Sequence, residues 1–218
     1  MAKKKIISAK AVISYYMDYV LEHNEQPKSV YIFAKHHNFE ESKFYEYFGN
    51  FEAVEQSIFR VFLDNTITVL EQSEDYQLFD ATNKLLSFYF TFFENLSANR
   101  SYVVFALNPY KKSMQSIKSL GALKKGFTAY IDHLDIDTLD IKEERIDRLQ
   151  RRALQESAWL QLLLTIKFWI DDTSASFEKT DIFIEKSVNT SFDVLNIAPL
   201  KSVIDLGKFL FKEKIHSN

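Results

Sequence analysis

SVYIFAKHHNFEESKFYEYFGNFEAV, residues 29–54, reads as two short helices joined by a tight turn and feeding a third helix. The first short helix is expected from Ser29 to His36, with the Ser29 hydroxyl accepting an unpaired amide hydrogen of the first turn. Val30, Phe33 and Ala34 then share one face. His37, Asn38 and Phe39 make the turn, because asparagine tolerates a left-handed backbone and Phe39 returns the chain to the core. The second short helix is expected from Glu40 to Phe48, with Phe44, Tyr45 and Phe48 at the spacing that faces a core. Gly49 and Asn50 stop it, and Phe51 begins the next helix. This is the outline of a helix-turn-helix.

At these residues the chain resembles the DNA-binding domain of the TetR family of bacterial regulators. The resemblance rests on the aromatic run FYEYF, the glycine-asparagine break and the acidic and apolar residues of FEAV. The family's Tyr-x-x-Phe at the end of the recognition helix is matched by Tyr45 and Phe48, and its basic N-terminal arm by Lys3, Lys4, Lys5 and Lys10. The resemblance implies an all-α fold, with a three-helix DNA-binding domain over residues 1–70 and a larger helical domain for ligand binding and dimerisation over 71–218. It also implies contact with double-stranded DNA through Lys3, Lys4, Lys5, Ser29, Ser42, Lys43 and Tyr47.

Two departures bear on that contact. The position after the glycine-asparagine break is usually a phosphate-binding lysine in this family, and here it is Phe51. From Glu40 to Glu52 there are four acidic side chains (Glu40, Glu41, Glu46, Glu52) against one basic, Lys43. DNA affinity is dominated by phosphate neutralisation, so carboxylates within a Debye length of roughly 8 Å weaken it. The whole chain has a net charge of −3, which gives no global basic field to steer it towards nucleic acid or an anionic membrane.

With 4 glycines, 3 prolines, helical periodicity and no alternating strand pattern, the 218 residues read as nearly all helix. The absence of cysteine excludes disulfides, thiolate catalysis and cysteine-ligated metal centres. There is no signal-peptide pattern and no run of 18 apolar residues, so a cytoplasmic location is expected. Further helices are expected at 8–23, 51–70, 78–96, 100–107, 110–133, 142–170 and 177–195, with a boundary at 72–77 and a loop at 135–141. No cofactor and no enzymatic activity are expected. His36 and His37 diverge as helix neighbours, and no nucleophile or phosphate loop accompanies Asp132 and His133.

The segment LLSFYFTFFENL crowds Phe88, Tyr89, Phe90, Phe92 and Phe93 into six residues, which cannot all face one core at about 100° per residue. Either they pack a large core or some line a cavity. TetR-like proteins enclose an apolar ligand pocket among their middle helices, and the candidate lining here is Phe88, Phe92, Tyr102, Phe105, Phe127, Tyr130 and His133. A hydrophobic small molecule or lipid would suit it. The last two long helices form the dimer interface in this family. Candidates for it are Trp159, Leu162, Leu163, Ile166, Trp169, Phe183, Ser187 and Phe192, with monomer core as the alternative. Residues 200–215 form a basic amphipathic pattern, which either caps the domain or lies on a membrane surface. A lipid-binding branch of the TetR fold, without DNA function, resembles the chain in these feature types. A third possibility is a module whose acidic recognition face docks a basic protein surface.

Overall fold

Ten α-helices and one short 3₁₀ turn, with no strand, make up the described residues of the computed structural model, which are 7–107, 118–134, 136 and 144–196. The helices are α1 (Ala9–His23), α2 (Val30–His36), α3 (Glu41–Tyr45), α4 (Phe51–Glu71), α5 (Glu74–Leu78), α6 (Ala81–Ala98), α7 (Arg100–Leu107), α8 (Gly121–Asp132), α9 (Glu144–Asp171) and α10 (Glu178–Asn196). They fall into two compact units. One comprises the described parts of residues 1–72 and 91–127, the other those of 73–90 and 128–218.

The first unit is built on capped helices around an aromatic core. Ser8, Ser29 and Asn50 each accept an amide hydrogen of the following first turn, from Ala11, Ile32 and Ala53, and so start α1, α2 and α4. Asn24 and Asn38 take the left-handed backbone that ends α1 and makes the α2–α3 turn. Phe33 is fully buried at the centre. Its ring meets Tyr16, Tyr19, Phe39, Phe44 and Phe51 edge-on, with centroids 5.5–6.4 Å away. Edge-to-face contacts of this kind are favoured by the ring quadrupole and add to a burial term of roughly 1.5–3 kcal/mol per ring. Farther along, Gly126 of α8 lies so close to α4 that a Cβ would collide with the Leu63 and Arg60 side chains.

Several expectations need correction. The second short helix is shorter than 40–48, because Tyr45 is exposed and only Phe44 and Phe48 turn inward. The chain passes from the first unit to the second after residue 72. Ser73 caps the short α5 there and Tyr76 is buried. Of the aromatic run, Phe88, Tyr89, Phe92 and Phe93 are all buried and Phe90 alone is exposed. Two i,i+4 pairs span an arc of about 140° on the helix, and Phe90 falls outside it. The expected helix at 110–133 is described from Gly121 to Asp132, and the expected loop at 135–141 lies outside the described residues except for Ile136.

In the second unit, α9 and α10 are joined by a turn in which Ser176 and Phe177 both have positive φ. Asp172 organises that turn. Its carboxylate accepts from the Ser174 hydroxyl (2.6 Å) and amide (2.8 Å), and from the Thr180 hydroxyl (2.7 Å) and amide (3.0 Å). Polar links continue along the pair, where the Ser191 hydroxyl donates to Gln161 Oε1 at 3.0 Å.

Hydrogen bonds from Ser174, and then from Thr180, hold the Asp172 carboxyl well below the usual carboxylate range. A group whose folded pKa is depressed stabilises the fold above its unfolded pKa, near 4, and that contribution is lost as the pH falls through the lowered value. Asp172→Asn should therefore lower the thermal midpoint at neutral pH, with the gap to the parent narrowing below about pH 4. Melting curves from pH 7 to pH 3 test this. A gap that stays constant over the range would show that the charge of Asp172 plays no part.

Candidate functional site

The helix-turn-helix is the best-defined surface feature of the first unit. α2 leads through His37–Glu40 into α3, and the Phe39 amide donates to the Ala34 carbonyl at 3.0 Å to close the turn. α3 has no side-chain cap on its N-terminus, so Glu40 stands at an open helix start with Glu41 in its first turn. Ser42 is exposed on the short helix. Lys43 is ion-paired with Glu46, and this contact, reinforced by Glu40, raises the lysine pKa above its ordinary value. The ammonium is thus held by a carboxylate of its own helix.

Beyond α3, Tyr47 presents a half-exposed ring, but its hydroxyl donates to the Ile7 carbonyl at 3.0 Å. Tyr45 reaches back towards Glu41 at 3.4 Å. Phe51, at the position where the resemblance leads one to expect a lysine, is buried. It stacks on Tyr16 at 5.4 Å and meets Phe44 at 5.3 Å. Its place in the core explains why this position is aromatic. Ser29 is used as the N-cap of α2. Lys3, Lys4 and Lys5 lie outside the described residues.

Behind this surface is a partly buried hydrogen-bonded group, centred on Tyr16, that the sequence pattern did not show. The Tyr16 hydroxyl donates to Glu55 Oε1 at 2.6 Å and accepts from Gln26 Nε2 at 3.2 Å, tying α1 to α4 and to the α1–α2 loop. Burial, then the Glu55 charge, pushes the Tyr16 phenol far above its ordinary range. The only sequence sign of this was a glutamate on the helix face that also carries Phe51 and Ile58.

The candidate ligand-lining residues are divided between the two units by residue number. Phe92, Tyr102 and Phe127 are buried in the first unit and Phe105 is half-buried there. In the second unit Phe88 stacks on Tyr130 at 4.6 Å, and the Tyr130 hydroxyl lies 2.8 Å from that of Tyr76 and donates to the Lys84 carbonyl at 3.2 Å. Burial, followed by the Tyr76 contact, raises the Tyr130 pKa. His133 does not belong with these rings. It is exposed, and its Nδ1 bonds the Ala129 carbonyl of its own helix end.

Among the interface candidates, Trp159, Leu162, Ile166 and Trp169 are buried within the chain, so they supply no free face. Leu163, Phe183, Ser187 and Phe192 are half-buried. The exposed apolar residues of α9 are instead Leu149, Leu160, Leu164 and Phe168, with Phe168 stacked on Phe183 at 4.6 Å. The sequence pattern contained both sets, and the heavier aromatic one drew attention to the inner face. The amphipathic stretch at 200–215 lies outside the described residues.

Residues 84–210, more than half of the chain, match the family model described as tetracyclin repressor-like, C-terminal domain. The chain belongs to this TetR-like family. The matched region lies C-terminal to the helix-turn-helix. No curated protein matches the chain. Among the described residues, no helix is long and apolar enough to cross a membrane.

Replacing Glu46 by glutamine removes the carboxylate that holds Lys43. Glu46→Gln should raise affinity for non-specific duplex DNA and steepen its salt dependence by about one counterion, measured by fluorescence anisotropy over a salt series. An unchanged slope would mean that Lys43 meets no phosphate.

Proposed function

We propose that the protein is a dimeric DNA-binding transcriptional regulator that acts in the cytoplasm and responds to a hydrophobic small molecule. Residues 1–70 serve as the DNA-binding part and 71–218 as the ligand-binding and dimerisation part. The observation that carries this reading is the helix-turn-helix itself. A serine-capped α2, a left-handed Asn38 and a following α3 with exposed Ser42 together form a frame that can place a short helix against a major groove. Ligand binding in the helical C-terminal region would alter the spacing of the two recognition helices, which must match grooves about 34 Å apart. An apolar or aromatic effector suits rings such as Phe88 and Tyr130.

The engagement of Lys43 by Glu46 and the burial of Phe51 favour a second reading, in which the fold is kept without DNA function. In that reading the chain is a non-enzymatic lipid- or isoprenoid-binding accessory protein, with 200–215 at a membrane surface, or its acidic α3 surface docks a basic protein. Titration of the purified protein against a duplex of its own upstream region, with a scrambled duplex as control, separates the readings. Sequence-selective binding with a steep salt slope is the expected result. No binding at low salt would retire the regulator, and extraction of bound lipid would then test the alternative.

Dimerisation is assigned to the exposed row Leu160, Leu164 and Phe168, together with Ile182 of α10. Leu164→Glu places a charge at the middle of that row and should convert a dimer to a folded monomer in sedimentation velocity. Persistence of the dimer with unchanged affinity would move the interface elsewhere.

A further inference from the structure

The last residues of α1 and α2, His23 and His36, meet where the loop between the two helices turns the chain back on itself. Their ring centroids lie 5.4 Å apart, with the planes at 82°. Both side chains are exposed, so solutes can reach them. Tyr19 stacks on His23 at 4.1 Å and meets His36 edge-on at 5.4 Å, which sets the two imidazoles on one aromatic support. His37 touches His36 at 4.8 Å, but its own ring is packed against Tyr15 at 4.7 Å and Phe33 at 4.8 Å.

Hydrogen bonding defines what this pair can offer. His23 Nδ1 lies 2.9 Å from the Tyr19 carbonyl oxygen, which can only accept, so Nδ1 carries the proton. In the neutral ring the lone pair is then on Nε2. A ring N–H given to a backbone carbonyl is the usual outer support of a metal-ligating imidazole. Among the described residues no hydrogen bond engages the His36 ring, which has a lone pair to offer in either tautomer. On a tetrahedral zinc ion, with Zn–N distances of about 2.0–2.1 Å, two imidazole centroids stand roughly 5 Å apart, close to the spacing of His23 and His36. The carbonyls at a helix C-terminus carry partial negative charge that favours a cation, and α1 and α2 both end here.

We infer that His23 and His36 form a binding site for a divalent transition-metal ion of the zinc class, with water in the remaining coordination positions. Among the described residues no group of three or more His, Cys, Asp or Glu side chains is placed to hold a metal ion, so the protein supplies two ligands and the site is open and exchangeable. Imidazole suits zinc, nickel and copper, whereas magnesium takes oxygen ligands. A bound ion ties the end of α1 to the end of α2 and so stiffens the helix-turn-helix frame. The site stands whether or not the chain binds DNA.

Isothermal titration calorimetry of the full chain with ZnCl2, at about pH 7.5 where imidazole is mostly neutral, tests the site. The parent should bind zinc and give no heat with MgCl2. His23→Gln and His36→Gln should each weaken zinc binding on the order of tenfold or more, and the double variant should abolish it. His133→Gln, at the end of α8, should bind as the parent does. In thermal unfolding, zinc at about ten times its Kd should raise the parent midpoint by about 4 °C and leave the double variant unmoved. Both rings are exposed, so the metal-free midpoints of the variants should stay close to that of the parent, which separates a lost ligand from a lost fold. Absence of zinc binding in the parent overturns the site, and so does binding that survives in the double variant. A loss confined to one of the two single variants overturns it as well, because the site requires both rings.

Discussion

The packing of aromatic rings around Phe33 is the constraint on which the first unit depends. Five rings converge on it from α1, the α2–α3 turn, α3 and the start of α4, so these elements are held by one shared contact. Short helices such as α2 and α3, seven and five residues long, are too short to persist alone in water. Their order comes from the ring cluster and, for α2, from the Ser29 cap. Recruitment of Phe51 into that cluster has a functional consequence, because a side chain that completes the core cannot also reach solvent to bind an anion.

Electrostatics on the exposed side follow from the same economy of residues. α3 is too short to carry both a core face and a broad cationic face, and it devotes Phe44 to the core. Of its remaining positions, Lys43 pairs with the following Glu46, and Glu41 accepts from the Tyr45 hydroxyl. Positive charge for any polyanion then has to come from residues outside the helix. The Tyr47 hydroxyl, just past α3, is itself committed to the Ile7 carbonyl.

Much of the fold was legible in the sequence where local rules govern it. The Ser29 cap, the left-handed Asn38 and the span Arg100–Leu107 follow from side-chain chemistry and period alone. The candidate site was legible only in outline. Tyr47 read as a free polar ring, because a hydrogen bond across forty residues leaves no trace in periodicity. His133 read as a cavity residue from its place among aromatic residues, but at a helix end the nearest acceptor is its own carbonyl at Ala129. Tyr16, Gln26 and Glu55 form a partly buried group from three separate segments, and only the tertiary structure brings them together.

The apolar residues of α9 form two faces. Trp159, Leu162, Ile166 and Trp169 fall within an arc of about 80° and are buried. Leu149, Leu160, Leu164 and Phe168 fall within about 100° on the other side and are exposed, the three leucines by more than half. A sequence search for the strongest apolar stripe finds the first face, which the chain satisfies internally. The second is the face that has to be accounted for, because a row of leucines left in water at adjacent turns costs free energy that a partner surface would recover. Helices with two apolar faces suit bundles in which one face closes the subunit and the other meets a second copy.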